Sequence, residues 1–414
     1  MKKVFYIAIL LLGMVSCVEE VFIGEQEAVD LLVVEATLTD EFKTHQVRLT
    51  RSFGFGADSV PPETRAQVSL ELNSGSTIAF THSGDGIYTS DRAFAAESGN
   101  TYELIIGTPD GTIYRSTPEE LPGTATIDDL YAVRENNENG TDGVFIYVDG
   151  SPKQGSADFY RYEYEETYKI IAPFWTPQDF LLTDYDPCAL PTITYNLEIV
   201  PREEEQQVCF QTVPSSRVIQ NDVTTLASSR IERFPIRFLG ATDFMISHRY
   251  SILVRQYVQS PAAFSYFQSL ESFSSSENVF NSVQPGFLTG NIQATGNSEA
   301  PVIGYFEVAS VSEQRLFFNF EEVFPDLETP PYITNCRVTS ALLEHVSYCA
   351  TDGPGANPCP ISIVERVNEG SIALYSTENQ EMLGTCPGPY QFVERPCGDC
   401  TELGSNEVPG FWIE

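Results

Sequence analysis

The cysteines carry the most specific chemical pattern in this chain. Cys397 and Cys400 are separated by two residues, a CxxC spacing found in zinc sites and in thioredoxin-like redox centres. A structural zinc site needs four ligands, usually from two such pairs, and none of the other cysteines has this spacing. No βαβ pattern surrounds the motif, as a thioredoxin-like site would require. The pattern therefore favours structural disulfides, with zinc as the alternative.

A different chemistry is indicated at the N-terminus, where Cys17 follows a short apolar run. Two lysines precede an uncharged run over residues 4–15, which is too short to cross a bilayer and is typical of a signal-peptide core. Cleavage after residue 16 would leave Cys17 first, where a bacterial lipoprotein carries its lipid anchor. The alternative is an ordinary signal peptide with a leftover cysteine.

The other cysteines form an even set, as expected for disulfides in an exported protein. Most of them lie after residue 335, so we expect disulfides to stabilise the C-terminal region. We predict Cys188–Cys209 as the best single pair, because both lie far from the rest and bracket a Pro-rich segment, 173–207. The others are then expected to pair within 336–400. The full set of predicted disulfide cysteines is Cys188, Cys209, Cys336, Cys349, Cys359, Cys386, Cys397 and Cys400.

Residues for catalysis are sparse. The histidines at 45, 82, 248 and 345 are scattered, and the chain has no HExxH, no GxSxG and no phosphate-binding glycine loop. A catalytic triad could still assemble from residues that are distant in sequence, because triads are defined by geometry. We expect a protein without enzymatic activity and without a cofactor.

Two further groups of residues could bind a ligand. Asp184, Asp186 and the stretch ENNENGTDG offer oxygen atoms to calcium, but they lack the spacing of a calcium loop and are interpreted as solvated loops. Aromatic residues in the Pro-rich segment could form an exposed contact surface for a partner or a sugar, although aromatic side chains are more often core residues. These residues are Phe174, Trp175, Phe180 and Tyr185.

The charge balance excludes one class of partner. The chain has 23 basic and 58 acidic residues, a formal net charge of −35. A surface this negative repels nucleic acid and offers no basic patch for phosphates, so we expect no nucleic-acid binding. Hydrophobic residues make up 42% of the chain, which is ample for real cores.

Short alternating strands with Gly-rich turns predict a mainly β fold that begins with a β-sandwich of immunoglobulin or transthyretin type. Hairpins are predicted over QVSLELNSGSTIAF and YELIIGTPDGTIYRS, a helix over PAAFSYFQSLESF, and a pair of strands over APVIGYFEVASVSEQRLFFNF. The predicted organisation is a signal peptide over 1–16, a lipidated acidic tether over 17–28, the β-sandwich over 29–122, a second β-rich domain with one short helix over 123–325, and a Cys-rich C-terminal region over 326–414.

Several phrases occur in an order that resembles one family. They are LLVVEATLTDEFKTHQVRLTRS, GDGIYTS, GNTYELIIGTPDGTIYRS, PGFLTGNI, VIGYFEVAS and CGDCTELGSNEVPGFW. Over residues 28–412 the chain resembles the Bacteroidota lipoproteins catalogued as domain of unknown function 4249. The resemblance implies no assigned activity and no catalytic residues. It implies a surface lipoprotein that works beside a TonB-dependent outer-membrane transporter, with Glu19 and Glu20 as an export signal to the outer face.

The resulting hypothesis is a non-enzymatic lipoprotein, anchored in the outer membrane by its N-terminal lipid and facing the cell exterior. Its expected role is that of an accessory or binding partner of a TonB-dependent transporter in nutrient uptake. The first alternative is a lipoprotein that binds extracellular glycan or peptide without a transporter. The second alternative is a hydrolase of surface polymers.

Overall fold

The computed structural model describes residues 30–52, 60–189, 193–226, 229–274, 288–296, 300–344, 361–384 and 386–414. Residues 17, 19, 20, 345, 349 and 359, which the sequence analysis named, lie outside the described residues. The described chain is mainly β, with several sheets and few helices, which confirms the predicted fold class. Within these ranges, no helix is both long enough and apolar enough to span a bilayer.

The N-terminal strands are short and alternate between buried and exposed positions. They are β1 (Leu32–Thr39), β2 (Gln46–Arg51), β3 (Gln67–Leu72), β4 (Thr77–Gly84), β5 (Ile87–Ser90), β6 (Thr101–Gly107), β7 (Ile113–Ser116) and β8 (Glu119–Glu120). Both predicted hairpins are confirmed, β3–β4 and β6–β7. Their turns contain Gly75 and Gly111 with φ of +80° and +87°, a left-handed conformation that favours glycine.

Longer strands follow, together with the predicted helix. They are β9 (Gly123–Asn136), β10 (Asp142–Gly155), β11 (Phe159–Ile171), β12 (Gln178–Asp186), β13 (Thr194–Pro201), β14 (Val208–Pro214), β15 (Ile219–Asp222), β16 (Ile231–Gly240) and β17 (Arg249–Val258), then α1 (Pro261–Ser274). Proline at the first helical position lacks only a donor that would be unpaired there anyway. The Ser260 hydroxyl caps the helix by accepting a hydrogen bond from the Ala263 N–H at 3.2 Å.

The remaining elements are mostly short, with the exception of β19. They are β18 (Ile292–Thr295), β19 (Val302–Asn319), α2 (Phe320–Val323), α3 (Ile363–Asn368), β20 (Ile372–Ser376), β21 (Gln391–Glu394) and α4 (Arg395–Gly398), with 3-10 turns at Phe244–Ile246 and Cys400–Glu402. β20 and β21 form a two-stranded sheet.

The predicted pair of strands over residues 300–320 is wrong, because β19 is one strand of 18 residues. Its first half, through Ala309, runs parallel to β1, and its second half, from Ser310, runs antiparallel to β17. The polar residues near Ser310 therefore mark the passage from one sheet into the next, and no turn is needed there. β19 thereby joins both halves into one 14-stranded sheet, in which β8 and β15 lie off the main hydrogen-bonded path.

Two separate cores lie on the two halves of this path. The first is enclosed by β1–β7, β18 and the first half of β19, and it contains the fully buried Leu32, Leu49 and Ile106. The Asn291 side chain closes this sheet by donating to the carbonyl of Phe306 at 2.9 Å and accepting from its N–H at 2.8 Å. The second core lies where the three-stranded sheet β16-β10-β9 packs face to face on β14-β11-β17-β19.

The predicted Cys188–Cys209 disulfide is wrong. Cys209 is bonded to Cys400, and Cys336 is bonded to Cys397. The Pro-rich segment folds as its own hairpin, β12–β13. Cys188 follows β12 at the far end of that hairpin, while Cys209 lies in β14 at its base. The eight-residue β13 spans about 25 Å, which separates the two sulfurs.

Candidate functional site

A cleft of about 810 Å³ lies between the first sheet and helix α1, and we call it the β1–α1 cleft. One wall is the outward face of β1, β2 and β5. The opposite wall is α1, and β11 with the start of β19 lies at the base. The side chains that give the cleft its apolar character are Val33, Ile87, Tyr266, Phe267, Leu270 and Ile303.

The alternation of β1 explains why this wall faces outward. Leu32, Val34 and Leu38 point into the first core, so the intervening Val33 and Glu35 point into the cleft. Helix α1 is held against the sheet by the ring of Tyr266, which lies 5.3 Å from that of Tyr305 on β19. Phe267 and Leu270 are only partly buried by these contacts, and they line the opposite wall.

A buried arginine forms the base of the cleft. Arg161 on β11 donates from Nη2 to Glu307 Oε2 at 2.8 Å and from Nη1 to Glu163. Its guanidinium lies between the rings of Tyr257 and Phe267, at 4.4 and 4.8 Å from their centroids. Burial opposes the charged form of Arg161, but the carboxylates of Glu307 and Glu163 outweigh it and raise the pKa. The guanidinium therefore remains a permanent, positioned cation.

The Glu307 carboxylate organises a wider polar network under the cleft. Its Oε1 accepts from Gln259 Nε2 at 2.6 Å, and Gln259 Oε1 accepts in turn from Gln220 at 2.9 Å. Nearby, Glu119 accepts from the Tyr305 hydroxyl at 2.9 Å. Burial raises the pKa of Glu119 despite these hydrogen bonds. Buried polar groups that are satisfied in this way fix one arrangement of the surrounding strands.

His45, one of the histidines considered for chemistry, lines the same cleft. Its side chain is buried, its ring packs 4.7 Å from that of Phe94, and Nε2 lies 3.0 Å from the carbonyl oxygen of Phe94. Burial lowers the pKa of His45, so the imidazole is neutral at physiological pH. Among the described residues, no hydrogen-bond partner faces its Nδ1. The arrangement holds the ring in place.

A second depression of about 270 Å³ continues from the cleft along β11. Arg161, Glu163 and Phe267 line both, and Arg217 and Arg255 line only the second. We call the cleft and this extension together the binding groove. Its lining combines charges of both signs with apolar walls.

The CGDC motif lies at another place in the fold, in a cluster that we call the disulfide clamp. The clamp consists of the two disulfides together with Asp399, Arg395, Arg202 and Asp179. The two cysteines of the motif enter different disulfides, to Cys209 and to Cys336, so their sulfurs are not free to bind zinc. Between them, the buried carboxylate of Asp399 accepts from Arg395 at 2.8 Å and lies 3.6 Å from Arg202.

The same clamp reaches the hairpin β12–β13 through Asp179. Arg202 lies 3.0 Å from the Asp179 carboxylate, and Arg395 lies 3.5 Å from it. Burial lowers the pKa of Arg202. The alternating charges of two arginines and two aspartates thus tie the C-terminal residues to the hairpin that follows β11.

The four aromatic residues considered as a contact surface do not share one face. Phe174 packs beside Tyr375, Trp175 packs near the Cys209–Cys400 disulfide, and Phe180 packs against Tyr390. Tyr185 is half-buried in the hairpin. Three of these rings therefore help to hold the C-terminal region on the hairpin, and they are not exposed.

The acidic stretches considered for calcium also have local partners. Asp186 accepts from the N–H of Cys188 at 2.9 Å, and Asp142 of ENNENGTDG pairs with Arg134 at 2.7 Å. In the part of the chain that the structure describes, no group of three or more histidine, cysteine or acidic side chains is placed to hold a metal ion.

Sequence reasoning missed the principal residues of the groove. Arg161, Glu307 and Gln259 lie in segments that were correctly expected to be strands or to adjoin them, but they are distant along the chain. One signal was available: Arg161 lies between two tyrosines in a predicted strand, and an arginine buried there requires a counter-charge. The partner of that arginine could not be identified from spacing, since Glu307 lies 146 residues away.

The comparisons with known proteins provide a family and no function. No curated protein matches the chain. A family match covers residues 18–315, which is more than half of the chain and includes every residue of the binding groove named above. The terminal CGDC motif lies outside the match. The chain belongs to the family described as Domain of unknown function (DUF4249).

Proposed function

We propose that this protein is a non-enzymatic, lipid-anchored binding protein of the outer membrane, exposed on the cell exterior. In this proposal Cys17 carries the lipid, and Glu19 and Glu20 direct the protein to the outer face. Its role is to act with a TonB-dependent transporter in nutrient uptake, as an accessory that holds a ligand or a segment of the transporter.

The binding groove is the observation that carries the proposal. Its base is a network in which Arg161 is engaged by two carboxylates, and its histidine is neutral and held against a backbone carbonyl. A cation that is engaged by carboxylates in this way can preorganise a surface for recognition. The signal-like N-terminus supports export and anchoring, and the family resemblance supports the association with a transporter.

Co-purification tests the association. The full chain with a C-terminal tag would be expressed in its native host and isolated from detergent-solubilised membranes after mild cross-linking. We expect a transporter to co-purify in a fixed ratio with the tagged chain. A Cys17→Ser variant provides the control, because loss of the anchor should reduce the recovery of the partner without changing the fold.

Two results would redirect the proposal. Absence of any stoichiometric membrane partner, combined with ligand binding by the isolated protein, would favour a binding protein that works without a transporter. Hydrolysis of any member of a panel of extracellular glycans and peptides by the purified chain would contradict the non-enzymatic role.

A further inference from the structure

The carboxyl group of Glu119 on β8 is covered by neutral hydrogen-bond donors. Its Oε1 accepts from the Tyr305 hydroxyl at 2.9 Å, from Asn291 Nδ2 at 3.0 Å and from the Thr117 hydroxyl at 3.4 Å. Among the described residues, Glu119 forms no ion pair. Removing an ionised carboxylate from water costs free energy, which neutral donors offset only in part when no cation is present. This arrangement therefore favours the protonated form of Glu119.

The charged and titratable groups that face Glu119 strengthen this preference. On β19 these groups are Tyr305 and Glu307, and the negative charge of Glu307 opposes ionisation of Glu119. On β6, Tyr102 stands opposite Glu119 in the strand register, and on β8 the next residue is the exposed Glu120. None of these groups is a cation. Burial raises the pKa of Glu119, and the charge of Glu307 adds to that effect.

The position of helix α1 depends on the same tyrosine. The Tyr305 ring packs 5.3 Å from that of Tyr266 on α1, and these two residues form a small buried cluster with Ala263. The helix also contacts the Arg161 guanidinium through the ring of Phe267, at 4.8 Å. The cluster is separate from the two main cores. A helix held by so few buried contacts opens at a lower free energy than the strands of a core.

We propose that Glu119 controls the position of α1 in response to pH, because its ionisation favours an arrangement in which α1 and Tyr305 move apart and water reaches the carboxylate. The direction follows from proton linkage: acid favours the arrangement that holds the proton more tightly. The closed arrangement seen in the structure holds it more tightly, since Tyr305 and Asn291 cover the carboxyl. The stabilisation is fully present below the ordinary pKa of 4.5 and is lost as the pH rises through the raised pKa.

This inference goes beyond the proposed function and does not depend on a ligand. Helix α1 is one wall of the β1–α1 cleft. The width of the binding groove is therefore expected to increase as the pH rises.

Hydrogen exchange of the α1 amides in the full chain tests the inference. Mass spectrometry would follow exchange from about pH 5 to about pH 8, with the intrinsic dependence of exchange on pH divided out. We expect the protection of α1 to fall as the pH rises, by at most about tenfold per pH unit, the limit for one proton. Peptides from β10, in the second core, report on opening of the whole protein and serve as the internal reference.

Three variants locate the response. Glu119→Gln retains an acceptor oxygen but cannot ionise, so α1 should stay protected across the whole range. Glu120→Gln makes the same change of charge at the exposed neighbour, and it should keep the response of the natural chain. Tyr266→Ala removes the ring through which α1 contacts Tyr305, so protection of α1 should be low at every pH and should not respond to it.

Several results would overturn the inference. One is protection of α1 in the natural chain that rises with pH, or that changes only in parallel with β10. Another is a pH response that persists in Glu119→Gln or in Tyr266→Ala. Loss of the response in Glu120→Gln would show that net charge controls α1, and Glu119 would then have no special role. The natural chain alone gives the first of these tests, so the inference can fail even if a variant does not fold.

Discussion

Replacing Arg161 by methionine provides a direct measure of the network under the groove. The Arg161 guanidinium lies against the rings of Tyr257 and Phe267, and methionine offers these rings an unbranched apolar side chain, so the substitution removes the charge while retaining part of the packing. It leaves the Glu307 carboxylate buried without its cation. The remaining partners of that carboxylate are neutral, namely Gln259 at 2.6 Å and Thr37 at 3.5 Å.

The exposure of the two side chains sets the expected size of the effect. The Arg161 and Glu307 side chains are 7% and 1% exposed. Removing one partner of a buried ion pair costs about 3–5 kcal/mol of the free energy of unfolding, because the other charge is left uncompensated. Arg255 and Glu313, on neighbouring strands, are 33% and 49% exposed. The matched control Arg255→Met should therefore cost at most about 1 kcal/mol.

A second variant separates the charge effect from the loss of packing. Arg161→Met combined with Glu307→Leu removes both charges, so it should recover about 2 kcal/mol or more relative to Arg161→Met alone. Urea unfolding followed by tryptophan fluorescence, with the disulfides kept oxidised, gives the free energies, provided that the slopes agree among the variants. If Arg161→Met costs no more than Arg255→Met, or if the effects in the double variant are additive, the buried ion pair does not have the role assigned to it.

Three further predictions concern the N-terminus and the disulfides. Cys17→Ser should abolish metabolic labelling with fatty acid and release the protein from membranes, and a labelled, membrane-bound variant would refute the lipoprotein hypothesis. Changing Glu19 and Glu20 to alanine should leave labelling intact but reduce digestion by protease added to whole cells; unchanged digestion would exclude an export signal there. Peptide mapping of the unreduced protein should recover Cys209 linked to Cys400, and replacing both by serine should cost at most roughly 5 kcal/mol of unfolding free energy, since the bond closes a loop with a sequence separation of 191. Free thiols at these two positions would contradict the structure.

Features of the fold that depend on neighbouring residues could be predicted from the sequence. The turns at Gly75 and Gly111 each require a residue with a left-handed backbone conformation between two segments in which apolar and polar residues alternate. The two segments of each hairpin lie within about ten residues of each other, so the whole pattern can be read locally. The helix from Pro261 likewise combines a start signal with apolar residues at helical spacing. In each case the interaction that decides the structure is local.

Features that depend on distant residues could not be predicted. β19 passes between two sheets because it pairs first with β1 and then with β17, which lie far away in the sequence. Without these partners, the polar residues around Ser310 look like a break between two strands. The pairing of Cys209 was predicted from its nearest cysteine along the chain, but the hairpin β12–β13 carries that cysteine away. The groove was missed for the same reason, because its base joins β11 to β19 across 146 residues.

The binding groove and the disulfide clamp lie in different regions of the molecule. Both regions contact β11: Arg161 lies near its start, and Ile170, near its end, is paired with Cys209. About nine residues of extended strand separate them, roughly 30 Å. The groove is formed within the family match, whereas most residues of the clamp lie beyond residue 315. The recognition that we propose for the groove would therefore be a property of the part of the chain that matches the family. The C-terminal clamp stabilises the far end of the same sheet, so a loss of stability on changing Arg161 and a loss of stability on changing Cys400 report on different parts of the molecule.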